Sequence, residues 1–142
     1  VLVRRLGIQG LIIDPFNEFD HTRERGQTET EYIGNILGAV KRWARKWNVH
    51  VWLVAHPQKL YRRDDGSYPV PTPYDINGSA NFRNKADNCV TVWRDMNATD
   101  LPVQIHVQKI RFKHIGAIGM AELTWDAVTG RYDTVRDVYV QP

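Results

Sequence analysis

The apolar positions of this chain fall into short blocks whose period changes along its length. Leu11-Ile12-Ile13 is a continuous apolar run closed by Asp14, which predicts a parallel-sheet strand over residues 9–14, apolar on both faces. From residue 28 the period lengthens. Ile33, Ile36, Leu37, Val40, Ala44 and Trp47 recur at i, i+3, i+4, i+7 spacing, which predicts a helix to residue 47. Thr28 and Glu31 form a Thr-x-x-Glu capping box at its start. An acidic first turn (Glu29, Glu31) and a basic end (Lys41, Arg42, Arg45, Lys46) both suit the helix dipole. Residues 49–55, VHVWLVA, give a second apolar strand. Strand, helix, strand in that order predicts a parallel crossover and an α/β layer.

The flanking segments are less regular. VLVRRLG, residues 1–7, reads as the tail of an amphipathic helix closed by Gly7. Residues 57–77 carry Pro57, Gly66, Pro69, Pro71 and Pro73 and predict a long irregular segment, which inside a folded domain is usually functional or mobile. GSANFRNKAD (78–87) fits a short helix. CVTVWRD (89–95), VQIHVQKIRF (103–112) and AELTW (121–125), the last ending at Thr129-Gly130, predict three strands with hairpin-like connections.

Composition narrows the class without naming a chemistry. A length of 142 residues fits one domain with a real core. With 42% hydrophobic and 25% charged residues the chain is of ordinary globular type. No apolar run approaches the roughly 20 residues of a membrane span, and no secretory leader pattern is present, so no membrane partner is expected. The single Cys89 excludes an internal disulfide and fits a reducing, cytoplasmic compartment. A net charge of +3 permits a polyanionic partner without requiring one. The chain opens on Val1 inside a predicted helix, so a piece of a longer protein is expected, with any missing machinery upstream.

Three groups of residues carry candidate chemistry. In parallel α/β sheets ligands collect at the carboxyl ends of the strands. Asp14 and His56 close the first two strands and are therefore expected at one edge. An aspartate there suits Mg²⁺ held through water beside a nucleotide phosphate. Equally, Asp14 caps its turn and His56 bonds the backbone. Lys109, Arg111 and Lys113 share one face of a strand by the period of two, a fork suited to phosphate or a charged guard on an edge strand. Lys59, Tyr61, Arg62 and Arg63 suit a nucleic-acid backbone, and Asn77-Gly78-Ser79 at a helix start offers N–H donors to a phosphate. A solvated loop and an N-cap are the plainer reading of those two stretches.

The order of these motifs is more specific than any one of them. LIID, VAHPQK, DINGSANFRNKADN, VWRD and QKIRFKHIG, in that succession, resemble the second half of the RecA-like motor domain of ring-shaped replicative helicases. The resemblance is to the Twinkle and phage helicase-primase branch, with the DnaB type further off, and it runs from about residue 5 to residue 132. It implies an α/β fold: a RecA-like P-loop NTPase core fragment, parallel strands flanked by helices, with antiparallel strands at the C-terminal end. The whole chain, 1–142, is then a partial RecA-like helicase domain from Walker B onward. By that resemblance Asp14 is the Walker B aspartate that positions Mg²⁺ on ATP, and His56 senses the γ-phosphate. Lys109 and Arg111 are the basic pair that reaches the neighbouring subunit's ATP. Arg94 and Trp125 sandwich the nucleotide base. Lys59, Arg62, Arg63, Asn77, Gly78 and Ser79 face single-stranded DNA in the channel of a ring homo-oligomer, expected to be a hexamer.

Departures from the family pattern limit the chain on its own. No G-x-x-x-x-G-K-[ST] occurs, so the phosphate cradle is expected upstream, together with the glutamate that activates water. Pro15 stands where the family often has a larger polar or aromatic residue, and Asn77 where it has an arginine. The expected whole is an ATP-dependent replicative DNA helicase, a primase-helicase of phage or prophage type being one form. The fragment alone is expected to be inactive. Three other readings stay open: a RecA-like ATPase that is not a helicase, a metal-dependent nuclease using Asp14, Glu18, Asp20 and His21, and a nucleic-acid-binding module without catalysis.

Overall fold

The capping box at Thr28 starts the longest helix, α2 (Glu29–Trp47). Thr28 Oγ1 accepts the Glu31 N–H at 3.3 Å, and Glu31 Oε2 accepts from the Thr28 N–H at 3.0 Å and from its hydroxyl at 2.8 Å. At the other end Asn48 takes a left-handed conformation, φ 52°, and closes the helix on the carbonyls of Ala44 and Arg45. The N-cap sets a first prediction. Thr28→Ala lowers stability by about 1 kcal/mol in denaturant unfolding. The hydrogen bonds from the Thr28 backbone and hydroxyl hold the Glu31 carboxyl below its ordinary pKa. A carboxyl whose folded pKa is lowered stabilises above its unfolded pKa, and that contribution is lost as pH falls through the lowered value. Protection of the amides at the start of α2, taken as exchange relative to an unstructured peptide at the same pH, is therefore expected to fall on acidification, and Glu31→Gln to remove that pH dependence.

The computed structural model describes residues 2–18, 22–76, 80–95 and 102–140, the side chains of 135–140 excepted. It divides into two units, one of Val1–Gln58 with Ile76–Lys85, the other of Lys59–Asp75 with Ala86–Pro142. In the first, helix α1 (Leu2–Leu6) ends at Gly7, whose φ of 64° a side chain would strain. Strands β1 (Gly10–Ile13) and β2 (His50–Leu53) pair in parallel, from Gly10 opposite His50 to Ile13 opposite Leu53. The core is Phe16, Ile33, Leu37 and Phe82, with Ile36, Leu53, Ala55 and Ile76 packed against it. Phe16 and Phe82 meet edge to face, centroids 5.2 Å apart. Helix α3 (Asn81–Lys85) is tied to α2 by Asn81 Nδ2 donating to the Thr30 carbonyl at 3.0 Å and by Lys41 Nζ donating to the Lys85 carbonyl at 2.8 Å. Gly34 permits that approach, since a Cβ there would lie 3.0 Å from Asn81 Nδ2.

One expectation about this sheet is corrected. The strands are covered on one face, where Leu53 meets the core, while Ile12 and Trp52 are 70% and 57% exposed on the other. A strand run that is apolar on both sides reports a two-sided cover, and the described residues supply it on one side.

The second unit is a four-stranded antiparallel sheet in sequential order: β3 (Asn88–Trp93), β4 (Val103–Ile110), β5 (Gly119–Asp126) and β6 (Arg131–Val140). A bulge lies between Cys89 and Val90. By register Val90, Val92, Val103, Ile105, Val107, Ala121 and Leu123 share one face. Thr91, Gln104, His106 and Glu122 share the other, where Gln104 bridges Glu122 at 3.1 Å and His106 at 2.9 Å. Burial holds the His106 imidazole below its ordinary pKa, favouring the neutral ring. Strand β6 is additional to the three strands predicted here. It follows a turn in which the Asp126 carboxylate accepts from the Val128 N–H and the Thr129 hydroxyl. β4 ends at Ile110, Arg111 lies in the bend after it, and Lys113 opens a separate 3-10 turn, Lys113–Ile115, so of the predicted three-cation strand face the strand keeps Lys109 alone.

Candidate functional site

The two strand-end residues of the first unit come to one edge, because β1 and β2 run in the same direction. The chain beyond the strands is stitched across that edge: the Val54 N–H donates to the Ile13 carbonyl at 2.9 Å and the Phe16 N–H to the Val54 carbonyl at 2.7 Å. The His56 N–H then donates to Asn17 Oδ1 at 3.2 Å. Asp14, joined to Pro15 by a cis peptide bond, and His56 are both exposed beside this seam. Sequence reasoning missed Asn17, whose side chain fixes the segment carrying His56. Its only cue was an amide side chain just after a Pro-containing turn.

A nucleotide-bound Mg²⁺ takes one or two carboxylates from a protein, with phosphate oxygens and water completing the shell. An exposed aspartate at a strand end fits that demand. Among the described residues no group of three or more His, Cys, Asp or Glu side chains is set to hold a metal ion. Asp14 and Glu18 are thus the described part of the nuclease set, Asp20 and His21 lying outside the described residues.

In the second unit, the basic pair sits at the end of β4. Lys109 Nζ donates to the Ala86 carbonyl at 2.8 Å. Arg111 pairs with Asp87 through Nε at 2.7 Å, its side chain 35% exposed, and its backbone N–H donates to the Asp87 carbonyl at 2.9 Å. Asp87 is a partner that sequence reasoning missed. Arg94 follows β3 and Trp125 lies near the end of β5; those strands run the same way, so both residues fall at one end of the sheet. Trp125 is 45% exposed and leans on Tyr132, centroids 4.8 Å apart, which leaves it outside any core.

The irregular segment Lys59–Asp75 has no helix or strand, yet it is internally bonded. The Arg63 N–H donates to the Ser67 carbonyl at 2.8 Å, and Asp65 Oδ1 accepts from both the Ser67 N–H and hydroxyl. A second turn is closed by Asp75 Oδ2 accepting from the Thr72 N–H and hydroxyl. Lys59, Arg62 and Arg63 are exposed, and the Arg62 guanidinium lies 5.1 Å from the centre of the Tyr68 ring. Tyr61 stands 83% exposed. Cations interleaved with upright aromatic rings are what a single strand's phosphates and bases need. Asn77, Gly78 and Ser79 lie outside the described residues.

These features define a mixed α/β protein in which a parallel strand pair presents an acid and an imidazole at its C-terminal edge, and an antiparallel sheet carries a Lys/Arg pair. No family model matches the chain. Over 133 residues, 92% of its length, it is 50% identical to the "Twinkle homolog protein, chloroplastic/mitochondrial" of Arabidopsis thaliana. The Twinkle resemblance carried by the motifs thus extends over nearly the whole chain, which spans 18% of that relative. Among the described residues no helix is long and apolar enough to cross a membrane.

Proposed function

We propose that the chain is part of the RecA-like motor domain of an ATP-dependent replicative DNA helicase, working as a ring on single-stranded DNA. The observation that carries this reading is the 50% identity with a Twinkle homolog over 92% of the chain. The strand-end placement of Asp14 and His56 supports it. In this reading Asp14 holds Mg²⁺ on ATP and His56 meets the γ-phosphate. Lys109 and Arg111 act on the ATP of the next subunit, where Arg111 offsets charge in the transition state. Arg94 and Trp125 flank the base. The bound Mg²⁺ supplies charge neutralisation at the phosphates. The phosphate cradle belongs to residues of the parent outside this chain, and so does the cover of the Ile12–Trp52 face. The parent works in a reducing interior; the plant relative is by its name chloroplastic/mitochondrial.

Unwinding of a forked duplex by the full-length parent tests this reading. Strand separation that requires ATP supports it, whereas DNA-stimulated hydrolysis without separation points to a RecA-like ATPase of another kind. The segment Lys59–Asp75 gives a further prediction. Arg62→Ala with Arg63→Ala weakens single-strand binding and lowers the slope of log K against log salt by about 1.4, or about 0.7 for each phosphate left without its arginine. An unchanged slope in a salt titration assigns the two arginines to solvent.

A further inference from the structure

The segment Lys59–Asp75 is tied to the sheet at a point that none of the roles above uses. Gln108 Nε2, on β4, donates to the Pro71 carbonyl at 2.8 Å. The Thr91 hydroxyl, on β3, lies 3.2 Å from that same carbonyl and 3.2 Å from Gln108 Oε1. All three groups are partly buried. Pro71 stands between Pro69 and Pro73, a stretch with few N–H groups to offer, so a carbonyl is the natural handle for holding it. Gln108 directly precedes Lys109, whose Nζ is bonded to the Ala86 carbonyl. Arg111, two residues on, is paired with Asp87. The end of β4 is thus fixed at once to residues 86–87 and to the base of the segment that carries Arg62, Arg63 and Tyr68.

We propose that Gln108 and Thr91 are positioning residues: a latch on the Pro71 carbonyl that holds the Arg62–Tyr68 segment against β4 and links its position to that of Lys109 and Arg111. The inference deepens the helicase reading and rests on it for the functional consequence. The latch touches neither nucleotide nor DNA. A change there alters how strongly DNA binding and ATP turnover are coupled, leaving turnover without DNA in place. A shift of the Lys109–Arg111 end of β4 carries Gln108 with it, and the segment base follows because its carbonyl is held.

The test uses the full-length parent with Gln108→Leu, which keeps bulk and removes the amide, and Thr91→Val, which replaces the hydroxyl with a methyl. Thr91→Ser, which keeps the hydroxyl, is the conservative control. Amide hydrogen exchange across residues 64–75 is expected to rise roughly tenfold in the first two, the scale of one or two hydrogen bonds removed, with β3–β5 unchanged. The ratio of DNA-stimulated to basal ATPase falls by a similar factor, basal turnover and ring assembly hold, and Thr91→Ser behaves as wild type. Unchanged exchange in 64–75 for both variants overturns the latch. Raised exchange with an unchanged stimulation ratio overturns its positioning role. If Gln108→Leu fails to fold, Thr91→Val carries the same comparison. A wild-type parent without DNA stimulation counts against the helicase reading alone, since exchange still decides whether the latch exists.

Discussion

On the helicase reading, Arg111→Ala in the full-length parent is expected to lower ATP turnover by about 10³–10⁵-fold, the range an arginine finger contributes to phosphoryl transfer. Ring assembly and ATP binding are expected to stay near wild type, since in that reading the guanidinium acts on charge that develops in the transition state. The structure supplies the control that makes this result readable. Arg111 is paired with Asp87 in its own unit, so losing the arginine also breaks a local ion pair. Both partners are more than a third exposed or close to it, and such pairs contribute up to about 1 kcal/mol. Asp87→Ala removes the same pair and leaves the guanidinium in place. The two variants are expected to part company: Asp87→Ala retains turnover within a few-fold of wild type, and Arg111→Ala does not. Equal losses in steady-state ATPase measurements would make Arg111 a structural tie between β4 and residue 87.

Phe82→Ala is expected to destabilise the first unit by about 3–5 kcal/mol, measured by denaturant unfolding of this chain. Phe82 is 6% exposed and meets Phe16 edge to face in a cluster of four buried residues. Removing its ring opens a cavity in the cluster it shares with Ile33 and Leu37, which such surroundings close only in part. Domain stabilities are of order 5–15 kcal/mol, so one substitution takes a large share. It also loosens α3, which carries Phe82 and is anchored to α2 by Asn81. Phe82→Leu keeps most of the volume and costs under about 1.5 kcal/mol. A loss below about 1 kcal/mol for Phe82→Ala would mean that this cluster is not the core.

Local signals carried the elements that came out as expected. α2 was legible at both ends because its cap is a reciprocal bond between residues three apart and its apolar stripe repeats over about four turns. β1 and β2 were legible as apolar blocks, and the parallel pairing that brings Asp14 and His56 to one edge followed from the helix between them. β6 was hidden because the alternation of Arg131 and Asp133 with Tyr132 and Thr134 breaks at Val135-Arg136, where apolar and polar positions change places. The end of β4 at Ile110 and the bulge at Cys89–Val90 depend on pairing between strands, which no window of sequence contains. Within Lys59–Asp75, the Asp65–Ser67 and Thr72–Asp75 turns are local and in principle readable. The Gln108–Pro71 bond joins residues 37 apart and is visible only in the fold. The same holds for Arg111 and Asp87: the basic residues were legible in the sequence, the pairing of Arg111 with Asp87 was not.

Mixed rings offer the most direct test of a nucleotide pocket completed across a subunit boundary. One parent carries Asp14→Ala with Arg111 intact, the other Arg111→Ala with Asp14 intact, and each alone is expected to be inactive. Co-assembled at equal amounts, the account predicts partial recovery of DNA-dependent ATP hydrolysis, since every junction that sets an intact Asp14 edge against a neighbour's intact Arg111 is complete. Confirmed co-assembly with turnover no higher than either inactive ring would contradict it.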